Sequence, residues 1–591
     1  MSKYKIRFKD REFDASEYQD AIFDNVEHGV GNMNIVAAAG ASKTTTIVNC
    51  LNIIPDSKKV LFIAFNRDIV ADIKERVGEK RNTKISTFHS LGLSIFKENH
   101  GDIRDDSINE FKYRNYIKSN IGSISESFGK LPNKVRNEFI QNVIRLSDYS
   151  RYYNAFMPKD IEALSDKYGI ALIGDECETC RKVLQWGSGN TDEIDYTDMI
   201  WLPNVLNYTT RKYRYNWVLV DEAQDISIAE QKLIEKCYMR GCRVVTVGDM
   251  EQMINIWAGS DEQAIENFRR MPNTREFRLP ISYRCPKKVV EVARRYSSNI
   301  IAKDDAIDGE VNYGVSVNKP TDGDMVLCRV TAPLVDLHMK YLRINKKSYL
   351  IGQENIIEQY MSLIDSVDSI VVDQHMLTKN GMFPELYRRL LSLIEQVSKA
   401  HGLDDEDALS HPAVLSMYDE IQGLRVLSEG ITSVEELKKK INDVFSCREE
   451  GIRLSTVHKA KGLEADNVYI YLPSLMPIKY AKKEWEIRTE RNLIYVAVTR
   501  ARKTLNYIEE PRFRRNADGN NGFNVGNIKD EIVSIRKRLG VPSSVFITEK
   551  QVLENKSQGI RKVRALGDES GNPNVGKKKR KAAMKMADML D

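Results

Sequence analysis

The stretch NIVAAAGASKTTTIV, residues 34–48, decides the fold of this chain. It begins as a short apolar, β-branched run, passes through Gly40, and enters SKTTT, a helix start carrying Lys43 and Thr44. A strand, a glycine turn and a helix opening on Lys-Thr form the pattern by which backbone N–H groups face a phosphate. The lysine serves the terminal phosphates and the hydroxyl serves Mg2+. One residue departs from that pattern: position 42, just before the lysine, is serine where such loops carry glycine. Taken alone, the stretch is also readable as an ordinary helix start.

Working outward, other apolar runs also stop at polar clusters. WVLVDEAQD (217–225) runs straight into Asp221 and Glu222, and VLFIAFN, ISTFHS and CRVVTVGDMEQ have the same form. Amphipathic helical patterns lie between some of them, as with Ile69, Val70, Ile73 and Val77. Buried strands alternating with helices imply an α/β fold with a mostly parallel sheet and ligands at the strand C-terminal ends. A second series, DMVLCRV, KSYLIG, IRLSTVHKAKGLE, NVYIYLP and TLNYIEE, predicts a second core of the same kind. Residues 97–190, rich in Asn, Ser, Lys, Arg and Tyr, and residues 366–450, with MFPELYRRLLSLIEQVSKA and TSVEELKKKINDVF, read as mostly helical insertions, one in each core.

An acid pair after a phosphate loop has a specific chemistry. Asp221 suits a carboxylate that helps hold Mg2+, and Glu222 suits one that activates water against a γ-phosphate.

Length and composition set outer limits. With 591 residues the chain is long enough for several domains. No apolar run approaches a membrane span, and the N-terminal MSKYKIRFKDREFD lacks a signal-peptide core, so the protein is expected to stay in the reducing compartment where it is made. CETC (Cys177, Cys180) has ligand-like spacing without a second pair, which favours ordinary thiols over zinc. Net charge is only +5, but the end of the chain, NVGKKKRKAAMKMADMLD (574–591), concentrates lysine. It reads equally as a solvated tail and as a segment binding nucleic acid or a protein partner.

The ordered motifs now carry a resemblance. FDASEYQDAI, the loop around Lys43, VLFIAFNRDIV, ISTFHSLG, DYTDMI, VLVDEAQD, VGDMEQMINIWAG, RLPISYRCP, LSTVHKAKGLEADNV and RNLIYVAVTRARKTL occur in that order between residues 13 and 507. The chain resembles a superfamily 1 DNA helicase of the UvrD/Rep type. AFNRDIV and HKAKGLE are most similar to the branch of the F-box DNA helicases, without an F-box. The resemblance implies two RecA-like cores: 1–96 with 191–275, and 276–365 with 451–510. The insertions 97–190 and 366–450 become accessory domains, the second short for the family, and 511–591 a C-terminal extension.

Residue by residue, the resemblance implies ATP and Mg2+ at Gln19, Gly40, Ala41, Ser42, Lys43, Thr44, Thr45, Tyr283 and Glu464, with Gln19 and Tyr283 on the adenine, Glu464 near the ribose, and Thr44 and Asp221 on the metal. Gln252 would sense the γ-phosphate, Arg284 would reach it from the second core, and Arg500 would be the arginine finger. Phe65, Thr87, His89, Trp257, Thr456 and His458 would line a single-stranded DNA track. Asn255 stands where the family often has a further tyrosine. The implied protein is a monomeric or weakly oligomeric motor on single strands and single-strand/duplex junctions, moving 3′ to 5′ in replication, repair or recombination. It would work off the membrane in the cytoplasm of a bacterial or phage-infected cell, or in a nucleus if the source has one. The rival reading, favoured by Ser42, is a nucleic-acid-binding scaffold with a weak or silent nucleotide site. A helicase–nuclease fusion is disfavoured, because 511–591 offers no carboxylate and lysine constellation.

Overall fold

The computed structural model describes residues 2–8, 11–78, 80–101, 107–368, 381–401, 408–409, 411–431, 433–445, 449–478, 481, 483–509 and 528–540. Two six-stranded parallel sheets dominate it. The first runs in the order Thr83–Ser86, Val60–Ile63, Tyr215–Val220, Tyr238–Gly248, Asn32–Ala37 and Thr274–Leu279. The second runs Glu310–Val315, Ala501–Ile508, Ala465–Ile470, Met325–Cys328, Ile452–Thr456 and Ser348–Leu350. Inner strands such as Val60–Ile63 and Met325–Cys328 are buried at every position. Helices covering both faces of a parallel sheet require that, and it explains their unbroken apolar sequence. Parallel neighbours need crossovers, and the first is the helix Lys43–Ile53 that follows the phosphate-type loop.

The two helical blocks are attached in different ways. Between Lys112 and Gly189 the helices build their own apolar core from Ile117, Phe139, Leu146 and Leu184, joined by Trp201 of the helix Tyr196–Val205. A buried ionic knot fastens that helix. Asp198 accepts from Lys112 (2.7 Å), Tyr113 (2.7 Å) and Arg151 (3.2 Å), while Arg151 also pairs with Asp195 (2.5 Å). Removing one member would leave a buried charge uncompensated, at a cost of about 3–5 kcal/mol.

Among the described residues the later block shares its core with the second sheet. Tyr360, Leu386, Ile421 and Leu437 share one apolar cluster with Val326, Leu350, Leu454 and Ile508 of the second sheet. Asp419 reinforces the joint by accepting backbone N–H bonds from Thr331 (2.8 Å) and Ala332 (2.9 Å) at the start of the helix Ala332–Arg343.

Three borders expected from the sequence fall inside continuous elements: 96/97 in the helix Phe88–His100, 275/276 in the strand Thr274–Leu279, and 365/366 in the helix Gln353–Asp368. Amphipathic pattern does not change where a helix leaves one layer for the next, so composition alone misplaces such edges. Past the second sheet, the helix Ile528–Leu539 docks through Ile528, Ile532 and Ile535, and its Glu531 accepts from Tyr418, Gln422 and Arg425. The lysine-rich tail 574–591 lies outside the described residues.

Candidate active site

The loop after Asn32–Ala37 turns twice through left-handed backbone. Gly40 has φ 70°, and a Cβ there would come within 2.6 Å of Arg284 Cβ, so glycine is required by both conformation and space. Ser42 sits at φ 58°, ψ 38°, strained for serine by about 1 kcal/mol. Its hydroxyl makes no cap bond, but its carbonyl accepts from Thr46 and starts the helix. Ala41 is buried and Thr45 follows in the first helical turn.

Lys43 and Thr44 each meet an acid from the end of the strand Tyr215–Val220, two places away in the same sheet. Thr44 Oγ1 donates to Asp221 Oδ2 (2.5 Å), and Lys43 Nζ lies 3.5 Å from Glu222 Oε1. Glu222 is itself in left-handed backbone, φ 51°. Burial pushes the Asp221 carboxyl up to about 6, with Glu222 beside it adding to the rise. Burial also acts to raise Glu222, but Lys43 and Lys461 outweigh it and hold that carboxyl down at about 2. The pair is thereby split into an oxygen donor beside a hydroxyl and a firmly ionised carboxylate. Asp249, at the end of Tyr238–Gly248, is pushed up to about 8 by burial and accepts from Gln252 Nε2 (2.5 Å).

The second core supplies the opposite wall. Arg500, fully buried, donates to the Val496 carbonyl (2.9 Å), the Leu463 carbonyl (3.2 Å) and Gln252 Oε1 (3.4 Å). Burial and the nearby Arg284 lower its pKa to about 10, so it remains a cation at neutral pH. Arg284 pairs with Glu464 (2.5 Å), bringing together two residues expected on different parts of one ligand. At the far end of the cleft Tyr283 OH donates to Gln19 Oε1 (3.3 Å), and Gln19 Nε2 donates to Thr46 (3.0 Å). Tyr283 is 43% exposed.

Two more residues bridge the cores. Lys461 pairs with Asp225 and donates to the Gln252 carbonyl (2.8 Å), and Tyr495 OH accepts the buried Ala39 N–H (3.0 Å).

On another side of the cleft lie the residues expected on the strand track. Phe65 and Trp257 are each 55% exposed. Thr87 caps the helix Phe88–His100, accepting from Ser90 N, and places His89 in its first turn, edge-on to the exposed Tyr196 at 6.4 Å. Thr456 and His458 come from the second core, and the His458 ring meets Trp257 edge-on at 6.5 Å. Burial and Arg329 push His458 down to about 3, so its ring is neutral at physiological pH. Asn255 is turned to Asp225 (3.2 Å).

Residues 19–273 match the UvrD/REP helicase N-terminal domain, and residues 451–508 match the UvrD-like helicase C-terminal domain; together they span just over half of the chain. This chain is a member of the UvrD/Rep helicase family. It is 26% identical to the ATP-dependent DNA helicase Rep of Buchnera aphidicola, over 45% of this chain and 40% of that protein. It is 21% identical to the ATP-dependent DNA helicase PcrA of Staphylococcus aureus, over 80% of each, and 22% identical to that of Staphylococcus epidermidis, over 80% of this chain and 81% of the relative.

Three residues of this UvrD/Rep chain escaped the sequence reading. Lys461, Tyr495 and Tyr196 lie inside the quoted motifs HKAKGLE, RNLIYVAVTRAR and DYTDMI. A lysine beside another, or a tyrosine inside an apolar helix, carries no local mark of what it faces across a cleft. No helix among the described residues is long and apolar enough to cross a membrane.

Proposed function

We propose that the chain is an ATP-hydrolysing DNA helicase motor that tracks along single-stranded DNA, 3′ to 5′, and separates strands or displaces bound protein in replication, repair or recombination. The observation that carries the reading is one cleft in which Lys43, Asp221 and Glu222 of one core lie together with Arg284, packed against Gly40, and Arg500, bonded to Gln252, from the other. Stabilising the charge of a transferring phosphoryl group needs cations on both sides of it.

In this reading Thr44 and Asp221 would hold Mg2+, and the hydroxyl and carboxylate 2.5 Å apart fit a hard cation that takes oxygen ligands. The metal would neutralise charge on the phosphates. Lys43, now spending its charge on Glu222, would turn to the incoming phosphates and leave Glu222 to accept a proton from the attacking water. Arg284 would leave Glu464 for the γ-phosphate, freeing that carboxylate for the ribose, while Tyr283 stacks on the adenine and Gln19 bonds its edge. Gln252, bound to Arg500, to Asp249 and through its carbonyl to Lys461, would report nucleotide state to the loop carrying Trp257. Phe65 and Trp257 would stack on bases while Thr87, His89, Thr456 and His458 flank the strand, with Tyr196 extending the row. The helices within 97–190 and 366–450 would serve as accessory domains.

Steady-state ATP turnover with and without a single-stranded oligonucleotide tests this. Strong stimulation supports the motor. Binding of the strand with no turnover would favour the scaffold reading, for which Ser42 at φ 58° is the specific observation.

A further inference from the structure

We propose that three tyrosines of the first helical block form a cradle that positions Trp257 for the strand, an inference that rests on Trp257 being a base-stacking residue. Tyr168 OH donates to the Ile256 carbonyl (3.1 Å), Tyr149 OH to the Trp257 carbonyl (2.9 Å), and Tyr153 OH to the Ser260 carbonyl (3.1 Å). The main chain on both sides of Trp257 is therefore held by hydroxyls from another part of the molecule, while Trp257 itself stays 55% exposed.

The cradle is itself braced. The Tyr149 and Tyr168 rings stack face to face, 3.7 Å between centroids and 3° from parallel, which fixes the spacing of two of the hydroxyls. The Tyr153 oxygen lies 2.9 Å from Tyr168 OH and accepts from Lys167 Nζ (3.1 Å), which also bonds Glu262 (3.1 Å); the phenol proton of Tyr153 is then available to Ser260. Behind the loop, Gly259 (φ 95°) lies so close to Tyr152 that a Cβ would come within 2.4 Å of its ring. A platform held in this way loses little conformational freedom when a base stacks on it, which is how pre-organisation raises affinity. The tyrosines sit in DYSRYY (148–153) and KYG (167–169), where packing against the helical core accounts for the rings of Tyr149 and Tyr168 but not for their hydroxyls.

The test is the paired substitution Tyr149→Phe with Tyr168→Phe, which keeps both rings and removes two of the three hydroxyls. It is made in the full chain with Trp257 intact and again with Trp257→Ala. With Trp257 present, the oligonucleotide concentration giving half-maximal stimulation of ATP turnover should rise about 5- to 30-fold, the equivalent of one or two hydrogen bonds, while DNA-free turnover and the KM for ATP stay unchanged. With Trp257→Ala the same pair should change it less than about twofold. Equal losses in both backgrounds would mean that the tyrosines act elsewhere, and would overturn the cradle. So would no loss from the tyrosine pair where Trp257→Ala alone weakens stimulation, an outcome that leaves base stacking standing. If Trp257→Ala itself changes nothing, the stacking role falls and takes the cradle with it. Should the pair depress DNA-free turnover, Tyr168→Phe alone, measured in the same two backgrounds, decides between the same outcomes.

Discussion

On the nucleotide side of the cleft the side chains themselves are held. Lys43 faces Glu222, Thr44 is bonded to Asp221, and Arg500 has four acceptors in a buried setting. On the strand side it is the backbone that is held, with Trp257 more than half exposed on a loop whose carbonyls are bonded. The difference follows from the ligands each side suits. A phosphoryl group needs charges at fixed points inside low dielectric, where they are worth most. A base of any identity needs only a flat apolar face at a fixed position, because every base has a π-face.

If that division is right, the two sides should fail separately. The largest effect is expected from Glu222→Gln, which removes the ionised carboxylate and keeps its shape. Turnover should fall by at least about 10²- to 10⁴-fold, the range for a general base, with single-strand binding by fluorescence anisotropy retained. Lys43→Ala should do the same and in addition weaken nucleotide binding. Loss of strand binding in step with turnover would break the comparison, since it would mean that the acids hold the whole cleft together.

The converse substitution is Trp257→Ala. A stacked base is worth about 1–3 kcal/mol, so single-strand affinity should fall about 5- to 150-fold. DNA-stimulated turnover should fall more than basal turnover. An unchanged ratio of stimulated to basal turnover would remove Trp257 from the track.

How much of this was legible in the sequence also divides between the two sides. The first-core pieces of the nucleotide site could be read because each sits at the end of an apolar strand, where a lysine, hydroxyl or carboxylate has a chemical reason to be. Lys43, Thr44, Asp221 and Glu222 are examples. Of the cross-cleft residues, Arg284, Glu464 and Arg500 rest on family resemblance and Tyr495 has no sequence signal at all; neither Arg284 pairing with Glu464 nor the hydrogen bond from Ala39 to Tyr495 follows from spacing, because the two members lie 180 and 456 residues apart. The tyrosine cradle was hidden for a related reason. Its hydroxyls address backbone carbonyls, which leave no mark in the sequence of the loop they hold. The two sheets were readable from unbroken apolar runs, whereas the merging of the second helical block into the second core was not, since amphipathic helices look alike whichever surface they cover.

Tyr495→Phe should be milder than either substitution above. It keeps the ring in the core and leaves the buried Ala39 N–H without an acceptor, a penalty of about 1–3 kcal/mol. Because that N–H belongs to the phosphate-type loop, the expected result is a KM for ATP raised about tenfold with little change in strand affinity in the absence of nucleotide. A loss confined to thermal stability, with normal kinetics, would make the bond a structural strut only.

The smallest effect is expected from Ser42→Gly, and it sharpens the comparison most. At φ 58°, ψ 38° serine carries about 1 kcal/mol of backbone strain that glycine would relieve. Glycine would also give the unfolded chain more freedom, an opposing term of about the same size. Folding stability should therefore shift by less than about 1 kcal/mol. ATP turnover should change by no more than a few-fold, because Ser42 makes no side-chain cap bond whose loss could disturb the loop. The partners that hold Lys43, Thr44 and Gln252 are already in place with serine present. A gain of a hundredfold or more would mean that the strained loop, and not the acids and arginines around it, limits turnover. The nucleotide side would then be assembled but blocked, and the strand side would be the working half of the molecule.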